Sequence, residues 1–71
     1  MRKYELVKPL TPRELQVIQW IANGKTAWEI SKIIGISERT VYFHLDNCKK
    51  KLEASTKTQA AVNALRQGII K

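Results

Sequence analysis

The apolar positions of this chain recur with helical spacing, not with the alternation of strands. Val41, Leu45, Cys48 and Leu52 fall at i, i+4, i+7 and i+11, and at about 100° per residue they form one narrow stripe along a helix. Leu15, Ile18, Ile21 and Ala22 make the apolar face of an earlier helix, and Ala27, Ile30, Ile33 and Ile34 that of a short helix between the two. In the last segment Ala61, Val62 and Leu65 can close the core. Ala60 and Ala64 then remain as a small-residue strip that another helix could approach. No period-two run is bounded by turn dipeptides. The pattern predicts an all-α bundle of four helices joined by short connections.

Start and stop signals bracket each segment. Thr11 is placed as an N-cap, with Pro12 in the first helical position and Glu14 at N3 to complete a capping box. Leu10 can staple to Leu15, and Gly24 suits the left-handed end of that helix. Thr26 and Glu29 repeat the box before the second helix, which Gly35 stops. Ile36 and Ser37 follow as staple and N-cap of the third helix, with Val41 as the staple's partner. Thr56 and Gln59 announce the fourth helix, which runs to Gly68. Only about three residues part the second and third helices, the spacing of a helix-turn-helix unit over roughly 26–52 with a second helix at about 38–52. Residues 1–9 are mostly polar and carry no stripe, so they read as an arm or the end of a linker, and residues 10–71 as the folded domain.

Charge narrows the choice of partner. Thirteen Lys and Arg against six Asp and Glu give a net charge of +7 in 71 residues, a field suited to nucleic acid or an anionic membrane. The membrane is the weaker option, because the basic run Lys49–Lys51 ends a helix whose apolar stripe the core requires. No segment has the length of a membrane span or the layout of a signal peptide, and a cytoplasmic protein is expected. A single cysteine excludes an internal disulfide and a cysteine zinc cluster, and Cys48 on the stripe reads as a buried inert thiol. Catalysis finds no support. The single His44 has no Cys or Ser in a nucleophile context, Glu14 and Glu29 are used as caps, and the three glycines sit at helix ends and form no phosphate loop. No enzyme, metal or cofactor is expected, and His44 reads as a packing residue at the border of the stripe.

The outer face of the third helix carries the candidate chemistry. Phe43 lies about 200° from Val41, and Arg39, Tyr42, Asp46, Asn47 and Lys50 share its side. An α-helix fits the major groove of B-DNA, where Phe43 can rest on a thymine methyl. Tyr42, Asn47 and Lys50 can reach base edges or phosphates, and Arg39 suits either. Thr26 and Thr40, with the exposed amides beside them, can clamp phosphates. Trp28 points away from the Ile30–Ile34 stripe, either to press on the sugar–phosphate backbone or to cover the first helix or the arm. Lys49 and Lys51 serve either DNA or the negative end of the helix dipole. Trp20 is core. Asp46 opposes phosphate; it either accepts from a cytosine amino group or orients Arg39 or Lys50, the latter being the simpler role.

Five short signatures occur in order: LTPRE, GKTAWEIS, SERTV, FHLDNCKKKL and the closing TQA…GII. From Leu10 to Ile70 the chain resembles the LuxR-type helix-turn-helix domain, and Trp28 with the Phe43–His44 pair is most similar to its acyl-homoserine-lactone quorum-sensing branch. The resemblance implies a four-helix fold with Ser37–Leu52 as recognition helix, dimerisation through the last helix (about 57–67, with Ala60 and Ala64), and binding of a homodimer to two-fold-symmetric promoter sites in double-stranded DNA. It further implies contact with RNA polymerase, residence on the nucleoid, Thr40 as a phosphate contact, and Tyr42, Phe43 and Asp46 as groove-facing positions. The branch often has Asn at the place of Tyr42, and response-regulator relatives have Lys at that of Asp46; both departures bear on base preference. Nothing resembles the ligand domain, so a small-molecule inducer would act only through a domain this chain does not contain, and short stand-alone members of the family exist. Two rivals share the pattern. A sigma-factor region-4 module is opposed by Phe43–His44 and the closing TQA…GII, and a protein-interaction or sequestering module would use the same faces without DNA.

Overall fold

The structure, a computed structural model, describes residues 9–71, so the expected arm lies outside it except for Pro9. Four helices follow in order: α1 (Pro12–Ala22), α2 (Ala27–Ile34), α3 (Glu38–Lys51) and α4 (Lys57–Arg66), with no strand among the described residues. The all-α expectation and the helix-turn-helix spacing hold.

Each helix starts where a hydroxyl takes up its N3 amide: Thr11 accepts from Glu14, Thr26 from Glu29, Ser37 from Thr40 and Thr56 from Gln59. Such a cap stabilises by about 1 kcal/mol. The first two boxes are reciprocal, with Glu14 Oε1 and Glu29 Oε1 each accepting from the N-cap amide at 2.9 Å. The Thr26 bonds hold the Glu29 carboxyl below its ordinary range. The capping box expected at Thr56 and Gln59, at the start of α4, is only half made. Gln59 Nε2 donates to Asn63 Oδ1 at 2.8 Å, and Asn63 Nδ2 donates in turn to the Leu52 carbonyl at 2.9 Å. A neutral amide gains less at a helix N-terminus than a carboxylate does, so it is free to bond elsewhere.

α1 and α3 form the middle of the bundle. α2 and α4 each pack on both of them without touching one another. The α3 stripe is buried as expected, and the largest fully enclosed side chains are Ile18, Ile30, Val17, Val41 and Cys48. Leu10, Leu15, Ile36 and Trp20 pack half-buried at its edges, as staples and core should. Burial pushes the Cys48 thiol up to about 12, which makes it the inert group the sequence indicated.

Two expectations about packing are corrected. Ile33 is exposed, and Ser31 takes the inner position, its hydroxyl satisfied by donating to the Trp28 carbonyl at 2.6 Å. Ile33 sits about 100° round the helix from Ile34, on the flank that the turn to α3 leaves open. On α4 the faces are exchanged. Ala60 and Ala64 are fully buried with Ala61, whereas Val62 is half-buried and Leu65 is exposed. Ala60 and Ala64 therefore cannot meet a second chain. Their small side chains let α4 lie close on α1 and α3, and the Asn63–Leu52 bond fixes that orientation.

One contact spans the bundle. Lys51 Nζ, in the last turn of α3, lies 2.7 Å from Glu14 Oε1 and donates to the Pro9 carbonyl at 3.2 Å. Glu14 thus serves α1 as cap and α3 as counter-ion. Burial pushes its carboxyl up, but the bonds from Lys51 and Thr11 outweigh this and hold it below its ordinary value.

Candidate nucleic-acid interface

The connection between α2 and α3 decides what faces outward. Gly35 adopts φ +71°, a left-handed turn that an L side chain rarely enters, and its amide and that of Ile36 both donate to the Ser31 carbonyl. Ser37 then starts α3 at once. Three residues thus redirect the chain. With Val41, Leu45 and Cys48 committed to the core, the opposite side of α3 stands free.

That side holds most of the expected residues. Arg39, Tyr42, Phe43, Asp46 and Lys50 are all exposed, Phe43 at 62% and Tyr42 at 49%. Thr40 and Asn47 are half-buried at its edge. Thr26 and Trp28 stand exposed at the start of α2, Trp28 at 58%. So large an aromatic surface is costly to leave in water and marks a place for a partner. Lys32 stands over the Trp28 ring at 5.4 Å.

The hydroxyls are arranged to meet an acceptor. Thr26 Oγ1 accepts from the Glu29 amide, which leaves its hydrogen to donate outward. Ser37 Oγ lies 2.8 Å from Thr40 Oγ1 and accepts from the Thr40 amide, so the two hydroxyls use one hydrogen between them and keep one to offer.

Other contacts depart from the sequence pattern. Asp46 pairs with Lys49, at 3.5 Å on its own helix, and not with Arg39 or Lys50 as expected. Lys51 stands in the last turn of α3, as the dipole reading expects, and is also paired with Glu14. The His44 ring meets that of Phe43 edge-on, centroids 5.5 Å apart and planes at 66°. Its Nδ1 is enclosed without a hydrogen-bond partner, so packing alone holds the imidazole. Lys32 and Lys49 were legible as i+4 and i+3 neighbours of Trp28 and Asp46; the His44 contact had no signal beyond adjacency. Among the described residues no group of three His, Cys, Asp or Glu could hold a metal ion, and no helix is long and apolar enough to cross a membrane.

Residues 8–64 match the model of the luxR family of bacterial regulatory proteins. The chain belongs to that family. It is 55% identical over 62 residues to the quorum sensing-dependent transcriptional regulator RpaR of Rhodopseudomonas palustris, covering 87% of this chain and 26% of that protein. In solved structures it resembles the transcription factor GerE (TM-score 0.82, 35% identity, 87% of this chain and 92% of that one). It also resembles a chain of the VqmA dimer from Vibrio cholerae, in the absence of target DNA (TM-score 0.85, 30% identity, 100% of this chain and 33% of that one). The chain spans about a quarter of the length of the curated relatives it matches. These relatives are transcriptional regulators with the same helix-turn-helix domain, and none is an enzyme.

Proposed function

We propose that this chain is the sequence-specific, double-stranded DNA-binding domain of a bacterial transcription regulator of the quorum-sensing type, acting on the nucleoid in the cytoplasm. The observation that carries it is the outer face of α3, where exposed Tyr42 and Phe43 alternate with Arg39 and Lys50 on a domain of net charge +7. In this reading α3 enters the major groove, and Phe43 rests on a thymine methyl. Tyr42, Asn47 and Lys50 meet base edges or phosphates, while Thr26, Trp28, Arg39 and Thr40 fix the backbone.

The reading includes a homodimer on a palindrome, with half-sites about one helical turn apart. Its seam on α4 would use the outer side, where Leu65 is exposed beside half-buried Val62 and Ile69 follows beyond the helix end. The likeness to a chain of the VqmA dimer supports the homodimer. A contact with RNA polymerase would use surface that DNA leaves free, and any inducer would act through a further domain.

Mobility shifts at several salt concentrations test the proposal. A dimer that neutralises roughly 8 phosphates should lose affinity with a log–log slope near −7. A flat response, or no binding to random duplex at low salt, would instead favour a protein-interaction module.

A further inference from the structure

Asp46 is the residue that the DNA-binding reading explains least. An acid on a face that meets phosphates is repelled, yet its side chain is 62% exposed among Tyr42, Phe43 and Lys50. Lys49 removes the repulsion: with Asp46 Oδ1 and Lys49 Nζ 3.5 Å apart, the two side chains present a neutral pair, while Arg39 and Lys50 stay available to the backbone.

An ionised carboxylate only accepts hydrogen bonds. In the major groove the exocyclic amino groups of cytosine and adenine are the donors on offer, and adenine sets its N7 acceptor beside its amino group, where a carboxylate meets a lone pair. Guanine and thymine present acceptors at the corresponding edge. Cytosine is thus the base that Asp46 can contact without repulsion. Its paired guanine turns O6 and N7 toward the same groove, next to the cytosine amino group, and these are acceptors for an ammonium. The order carboxylate–ammonium along α3 matches the order donor–acceptor across one base pair.

We infer that Asp46, held by Lys49, is a specificity-determining residue that selects a C·G pair at one position of each half-site. The inference rests on the DNA-binding reading and adds to it the identity of a base.

Selection from randomised duplexes tests both, with the wild-type chain, Asp46→Asn and Asp46→Ala compared. The wild type should fix C·G at one position. Asp46→Asn should move that position toward A·T, because an amide matches the N6/N7 edge of adenine. Asp46→Ala should flatten it and leave the other positions unchanged. On isolated sites, replacing that cytosine should weaken wild-type binding by roughly tenfold or more and Asp46→Ala binding by less than about twofold. Identical selected sites for wild type and Asp46→Ala would overturn the inference while leaving the DNA-binding reading intact. No enriched site for the wild type would overturn that reading itself. Thermal melting of the variants checks that the exposed substitution has not disturbed the fold.

Discussion

The last turns of α3 hold two ion pairs whose lysines are two residues apart, and they have opposite consequences. Lys51 and Glu14 meet at 2.7 Å with the carboxylate nearly enclosed, whereas Lys49 and Asp46 meet at 3.5 Å with the carboxylate largely exposed. The first pair joins two helices and cannot be broken without stranding a charge inside the bundle. The second joins neighbours on one helix face and holds its members where a ligand could compete for them. The chemistry is the same; enclosure decides whether it serves the fold or remains available for recognition.

The comparison breaks most directly at Lys51. Lys51→Ala should lower the unfolding free energy by roughly 3 kcal/mol, because Glu14 is left uncompensated. Against a total of about 5 kcal/mol for a domain of this size, the variant should be marginal, as urea unfolding would show. A loss below about 0.5 kcal/mol would make it equivalent to an exposed pair.

Phe43→Ala should leave stability nearly unchanged and cost roughly 1 to 3 kcal/mol of discrimination at one base step, while Lys50→Ala should weaken all duplexes alike. Competition between a selected site and random duplex measures this. Equal losses on both for Phe43→Ala would remove the ring from recognition.

Acid sharpens the contrast between the pairs. Glu14 has a carboxyl held below its ordinary value of 4.5, so its stabilisation is full above that pH and is lost as pH falls through the lower, folded-state value. Urea midpoints of the wild type should therefore fall more steeply below pH 4.5 than those of Glu14→Gln. Parallel curves would show that the contact with Lys51 does not favour the charged form.

The smallest effect belongs to Lys49→Ala, which should change stability by no more than about 0.5 kcal/mol. A larger loss in thermal melting would mean that the Asp46 pair is part of the fold after all.

What could be read from the sequence divides along similar lines. Helix starts were legible because a cap acts within three residues, and Thr11, Thr26 and Ser37 all cap as their spacing indicates. The α3 stripe was legible because its outer face carries no aliphatic residue to compete for the core. α4 was ambiguous, having apolar side chains on both sides; the alanines went inward, since a close approach to two helices favours small residues over the bulk of Leu65. The exposed face of α3 follows from the same periodicity, and most of the candidate site with it. The Glu14–Lys51 contact was hidden by a separation of 37 residues, which no local rule spans. The cation that pairs with Asp46 is not legible from spacing, because Arg39, Lys49 and Lys50 all lie within a turn or two and rotamers choose among them.

Asn63 ties α4 to the carbonyl of Leu52, the residue that caps the end of α3, with Gln59 bracing the amide from behind. In a dimer joined along α4, this bolt would make seam and recognition helix parts of one lever, with no hinge between them. The two reading heads would then be a fixed-gauge caliper. One base pair added between half-sites turns the second by about 35°, and such a caliper would have to twist the DNA or release one side.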